Sequence, residues 1–240
     1  MIGGVNPLTA RATSAAVTLP TFGSGAVRPL LDGLERLGHD RARLLAAAGL
    51  SDEALADPDT QVPCTVAERL VGQACQERPR VNLALELATV TPLGAYPLID
   101  YLAVSSRTVG EGLAQVARYY ALLDVPGSLE LRASDDPIEV RYGGQASFGV
   151  EYSVALCLLH LARESEGRAR ARVVRFMHRP GDARAYEQAL GCPVEVGAEW
   201  NGFAMSRETW RLPMRRRDPI LLSRARASRR GCPHAAAPVG

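Results

Sequence analysis

Lysine is missing from the chain: all 28 basic residues among its 240 are arginine. That excludes a Schiff-base lysine, the lysine of a phosphate-binding loop and a Ser-Lys catalytic pair. Cysteine is sparse and scattered. The thiols at 64, 75, 157, 192 and 232 contain no CxxC pair and are odd in number. Zinc-ribbon and disulfide-framework readings therefore lack support, and free thiols are expected. Long apolar runs are absent too; one of the longest, residues 154–159, is far too short to cross a bilayer. Residues 5–19 are mildly apolar, but Asn6, Arg11, Thr13 and Ser14 interrupt them. Without the basic start and compact apolar stretch of a signal peptide, a cytoplasmic location is expected, with no membrane partner.

Signatures of catalysis are also wanting. There is no GxSxG elbow, no GxGxxG after a strand, no HExxH and no calcium-binding loop. The four histidines, at 39, 160, 178 and 234, have no metal-ligand spacing. No carboxylate pair is spaced for acid-base work, and Asp135-Asp136 before Pro137 reads as a turn. The chain is therefore expected not to be an enzyme and to need neither cofactor nor metal. His160, inside an apolar helical stretch, reads as a hydrogen-bonded core histidine before it reads as a ligand. His178, at a strand end, is open to either a structural or a ligand-touching role.

What is present is an ordinary globular composition, 47% hydrophobic and 22% charged with a net charge of +2, and enough length for a sizeable core. Residues 1–25 are small and polar without a sustained period and are expected to form a mobile leader. Val27, Leu30, Leu31, Leu34 and Leu37 then follow helical spacing, closed by Gly38. Further helices are expected over 40–48, over a short turn capped by Ser51, over 65–76 capped by Thr65, and over 82–89 and 96–104. Another, opened by Ser106 and Thr108, carries Val109, Leu113, Val116, Ala117 and Tyr120 on one face.

The period then changes. Leu129, Leu131 and Ala133 alternate with charged residues, and so do Ile138, Val140 and Tyr142, which reads as an antiparallel hairpin. Residues 152–162 form a helix apolar almost all round, expected to be buried against the sheet, a partner subunit or both. Residues 172–178 read as a strand and 182–190 as a helix closed by Gly191. Residues 194–196 and 203–205 read as a final strand pair with Trp200-Asn201-Gly202 at its turn. Helices first and a mixed half second point to an α+β fold: a helical N-terminal region followed by a small, mostly antiparallel sheet with packed helices.

The segment 183–221 holds the sharpest signal. Tyr186 through Gly191 (YEQALG) is followed by Cys192-Pro193-Val194-Glu195-Val196-Gly197, then Trp200-Asn201-Gly202-Phe203-Ala204-Met205, Leu212-Pro213 and Asp218-Pro219. Upstream stand Leu37-Gly38-His39-Asp40, Asp57-Pro58-Asp59, Leu93-Gly94, Tyr101-Leu102 and Arg118-Tyr119. In this order the pieces resemble the N-terminal arabinose-binding-type sensor domain of AraC/XylS-family transcription regulators. The resemblance spans about residues 27–222. It implies an effector-sensing and dimerisation domain over 26–220, pairing as a homodimer or as a heterodimer with a related regulator.

The tyrosines and phenylalanine at Tyr96, Tyr101, Tyr119, Tyr120 and Phe148, with few amides nearby, suit an apolar or amphipathic small molecule better than a sugar. Tyrosines at helical spacing also serve as core, and that reading stands beside the first. His178 completes the candidate ligand-touching set. Regulators of this family continue into two helix-turn-helix units of about a hundred residues; here 22 residues follow Asp218. The arginine-rich stretch 221–240 is expected to be a disordered tail. The chain alone is therefore expected to bind no DNA specifically, as a sensor truncated before its DNA-reading module. An alternative is a free-standing protein that pairs with a full-length relative, suggested by the apolar helix over 152–162. A small-molecule enzyme is the third and least supported reading.

Overall fold

The computed structural model describes residues 21–216 except 58, 59, 124, 134, 135 and 145. Most of the expected leader and the arginine-rich tail lie outside the described residues. Residues 21–25, assigned above to the leader, do have a place: Thr21–Gly23 form strand β1 and Ser24–Arg36 form helix α1. Strand β1 pairs antiparallel with β2, Gln61–Pro63. Three-residue strands carry no legible alternation, so only the pairing reveals them.

The N-terminal half is helical. After α1 come α2 (Arg41–Ala48), α3 (Asp52–Ala56), α4 (Cys64–Glu77), α5 (Leu83–Val90), α6 (Pro97–Val104) and α7 (Val109–Tyr119), the last followed by a 3-10 turn over Tyr120–Leu123. Local chemistry sets several boundaries. Asp40 accepts from the Arg43 amide at 3.0 Å, Ser51 from Ala54 at 3.2 Å and Thr108 from Glu111 at 3.2 Å, each satisfying a free donor at a helix start. Gly49 closes α2 in the left-handed region at φ 68, where a side chain would be strained. Two cap assignments change. Thr65 caps nothing, because β2 runs straight into α4 and Pro63 occupies the cap position. Ser106 is buried and donates back to the Leu102 carbonyl at 2.8 Å, so it finishes α6 and does not open α7.

The second half builds a five-stranded sheet. Its elements are β3 (Ser128–Ala133), β4 (Ile138–Gly143), α8 (Ser147–Glu164), β5 (Val173–Phe176), α9 (Ala183–Leu190), β6 (Val194–Val196), β7 (Asn201–Met205) and a short helix α10 (Arg207–Arg211). The expected hairpin is β3–β4, with Leu131 opposite Val140 and Leu129 opposite Tyr142. Ile138, Val140 and Tyr142 face the core, as their alternation requires. The strand order is β3-β4-β7-β5-β6, so the fold is α+β with a mostly antiparallel sheet.

The expected β6–β7 hairpin does not form. β6 lies parallel to β5, reached through α9, while β7 inserts between β4 and β5 and pairs antiparallel with both. A strand–helix–strand unit returns its second strand parallel to the first. That leaves β5's other edge for β7, whose residues 202–205 are buried as a central strand's should be.

Helix α8 lies between the sheet and the helical half and packs most extensively against α5, with α9 and β7 also touching it. Val150, Val154, Ala155, Leu158 and Leu161 are buried within the chain, so its apolar character is explained without a partner. Beyond α10 the chain returns to the helices: Val109 donates to the Leu212 carbonyl at 2.9 Å and Met214 to the Arg107 carbonyl at 3.2 Å. Among the described residues no helix is long and apolar enough to cross a membrane.

Trp210 of α10 lies where Gly110 of α7 has no side chain. A Cβ at Gly110 would stand 2.1 Å from Trp210 Nε1, and a rigid indole cannot yield as a flexible chain end can. Gly110→Ala should lower stability by about 1–3 kcal/mol in urea unfolding and shift Trp210 emission to the red in a Trp200→Phe background. Unchanged emission and stability would contradict this contact.

Candidate functional site

Between the helical half and the sheet lies a cavity of about 620 Å³. That is within the usual size of small-molecule sites, which are mostly apolar with a few placed polar groups. One face of α8 forms its floor: Phe148, Tyr152, Leu156 and His160 recur every four residues and so point the same way, with Cys157 beside them. Opposite stand Leu113 and Val116 of α7, with helices α1, α4 and α6 closing the sides. Tyr142 of β4 and Met214 of the returning segment also reach it.

Aromatic rings panel two walls. Phe148 and Tyr152 are stacked with centroids 6.5 Å apart, and Tyr120 meets Tyr142 edge-on at 6.3 Å. Burial pushes the Tyr96, Tyr142 and Tyr152 hydroxyls above their ordinary range. It also pushes the Cys157 thiol up to about 12, which makes that cysteine a poor nucleophile near neutral pH.

The polar groups gather around Thr91, just beyond the end of α5. Its hydroxyl donates to the Leu87 carbonyl at 2.8 Å and meets the Tyr152 hydroxyl at 3.1 Å, which in turn meets the Tyr96 hydroxyl at 3.2 Å. The Thr91 carbonyl meets His160 Nε2 at 3.2 Å. Asp100 is buried, and its Oδ2 accepts the backbone amides of Gly94 at 2.8 Å and Tyr96 at 3.1 Å. Its Oδ1 lies 3.9 Å from His160 Nδ1. Burial raises the Asp100 carboxyl above its ordinary value, outweighing the amide bonds and the nearby imidazole that pull it down. Among the described lining residues there is no arginine, and the carboxylates are Asp100 and Glu68.

The structure brings together Tyr96, Tyr120 and Phe148 from the sequence candidates. The other three stand elsewhere. Tyr101 is half exposed, with its hydroxyl near Gly94. Tyr119 lies under the Arg118 guanidinium, 5.5 Å from its ring centre. His178 bonds Glu151 Oε1 at 2.7 Å in a separate cluster, where Tyr186 donates to Glu151 Oε2 at 2.5 Å and Phe176 packs against both rings. Sequence reasoning missed Tyr142, Tyr152 and Asp100. It kept His160 as core, whereas that side chain is both hydrogen-bonded and a cavity wall. The available signal was an acid inside the apolar 97–104 stretch, and Tyr152 and His160 two turns apart on an otherwise apolar helix. No group of three His, Cys, Asp or Glu side chains suited to a metal occurs among the described residues.

Residues 38–214 match the family model for the arabinose-binding N-terminal domain of AraC transcription regulators. The ornithine utilization regulator of Pseudomonas aeruginosa is 26% identical over 202 residues, covering 79% of this chain and 58% of that protein. The HTH-type transcriptional regulator VirS of Mycobacterium tuberculosis is 27% identical over 160 residues, 63% of this chain and 47% of its own. The chain thus spans about half the length of the curated relatives it matches. The crystal structure of the transcriptional regulator CdpR from Pseudomonas aeruginosa superposes with a TM-score of 0.59 at 18% identity, over 83% of this chain and 62% of that one, and so shares the fold.

The raised Asp100 carboxyl has a thermodynamic sign. The folded protein holds this proton more tightly than the unfolded chain, so the carboxyl favours folding most below its ordinary value of 3.8 and loses that contribution as pH rises through the raised one. Urea unfolding should therefore show wild type gaining on Asp100→Asn as pH falls from neutrality toward 3.8. A difference that does not change with pH would contradict the burial argument.

Proposed function

Because the chain belongs to the AraC transcription regulators that carry an arabinose-binding N-terminal domain, we propose that it senses a small apolar or amphipathic effector in the cavity beneath α8 and pairs with a second copy. The observation that supports the ligand class is the wall: stacked and edge-on aromatic rings with leucine and valine, and polar groups confined to the surroundings of Thr91. A sugar would present hydroxyls on every side, and most would meet hydrocarbon unpaired. The relative named for ornithine utilization does not transfer its namesake here. A free amino acid's carboxylate calls for a cationic side chain, and no arginine lines the described wall.

Pairing follows the family reading. Since α8 spends its apolar surface inside the chain, the feature that suggested a heterodimer in the sequence supports pairing no longer, and the homodimer is the simpler assembly. Light scattering after size exclusion should give the mass of two 25.7 kDa chains; a monomer at micromolar concentration would overturn this half of the proposal. Residues 38–214 are assigned no base reading, so specific nanomolar binding of a promoter fragment by that segment at physiological salt would overturn that assignment.

The ligand half is tested by filling the site. A neutral apolar probe at a hundred times its dissociation constant should stabilise the fold by about 2.7 kcal/mol. Val116→Trp, which puts an indole into the cavity, should abolish the gain while the protein still unfolds cooperatively. Equal stabilisation of both proteins would place the ligand elsewhere.

A further inference from the structure

Resting on the reading of this cavity as the effector site, we propose that the effector is an apolar molecule bearing a protonated amine. Its nitrogen would be held by the Tyr96 phenolic oxygen and the Asp100 carboxylate. The argument is a count of protons. A carbonyl can only accept, so the Thr91 hydroxyl spends its single proton on Leu87. Tyr152 must then donate to Thr91, and Tyr96 to Tyr152, because each hydroxyl has one proton to give. The relay ends at Tyr96 with lone pairs and no proton left for the cavity.

The same rule applies to His160. Facing the Thr91 carbonyl, Nε2 carries a proton, so that edge of the ring is spent on the backbone. Asp100 gives Oδ2 to two backbone amides, and Oδ1 lies 3.9 Å from Nδ1, too far for a direct hydrogen bond. Tyr96, Asp100 and His160 all line the cavity, and the Tyr96 oxygen and Asp100 Oδ1 are two acceptors at its polar end.

An ammonium group has three donors and no acceptor, and it carries the charge opposite to that of Asp100. A carboxylate head would set acceptors against acceptors beside a buried acid, with no arginine in the described wall to compensate. A hydroxyl head supplies one donor for two acceptors and no charge. The cost of burying the Asp100 charge, visible in its raised carboxyl, is what a bound cation would offset. The rest of the cavity asks for hydrocarbon.

Decylamine, decanol and decanoate share one chain and differ at the head, so their competition against a neutral fluorescent apolar probe isolates the headgroup. At about pH 7.5 the amine should bind at least roughly tenfold tighter than the alcohol, and the carboxylate weakest, as charge-assisted hydrogen bonds require. Asp100→Asn keeps an oxygen for the Gly94 and Tyr96 amides and should erase the amine's advantage, leaving decanol within about twofold. Tyr96→Phe removes one acceptor at the free end of the relay and should reduce the amine-to-alcohol ratio by about threefold. It serves also if the Asp100 variant fails to fold. Equal binding of the three heads, a carboxylate preference, or a ratio unmoved by both variants overturns the amine while leaving an apolar effector site standing. Failure of the probe and all three chains to bind overturns the effector cavity itself.

Discussion

Helix α8 is apolar on nearly every side, and water would surround it unless other elements covered it. The sheet with α9 takes one flank and α5 another, and this burial joins the two halves of the molecule. Leu83, Ala84, Leu87 and Ala88 of α5 are themselves buried, so each helix supplies the surface the other needs. Elements on both sides take their positions from this pair. The helices before α5 wrap one side and the strands after α8 the other.

The cavity is the flank of α8 that this packing leaves uncovered. Helices α1, α4, α6 and α7 stand off from it, and the space between is walled by large side chains instead of filled by them. Hydroxyls and an acid at such a depth must find partners or destabilise the fold. Thr91 supplies them for two side chains, its hydroxyl meeting Tyr152 and its carbonyl meeting His160, and the Gly94 and Tyr96 amides supply them for Asp100. The hydrogen bonds that fasten α5 to α8 also orient the polar end of the site.

Much of this was legible in the sequence. Alternation in the 129–142 region announces the β3–β4 hairpin, and Ser51 and Thr108 cap helices as expected. Strand order was not legible. Nothing in the short apolar runs of β6 and β7 says whether they face each other or receive β5 between them, because that is decided by crossover geometry. The aromatic lining of the cavity was legible by composition and not by phase. Tyr119 and Tyr120 are neighbours, about 100° apart around a helix, and only Tyr120 turns into the cavity. Asp100 escaped notice for a related reason: its partners are backbone amides, which no side-chain pattern announces.

The wall of the cavity is drawn from both halves, and several of its residues, among them Leu113, Tyr142 and Met214, are also buried members of the core. On the proposed reading of the cavity as the effector site, ligand preference and folding free energy reside in the same side chains. A substitution that widens the space for a new molecule also removes packing between helices and sheet, and one that tightens the fold narrows the choice of ligand. Relatives adapting to new effectors by change at these positions would have to move in compensated steps, in which a loss of volume on α7 is met by a gain on α8 or β4.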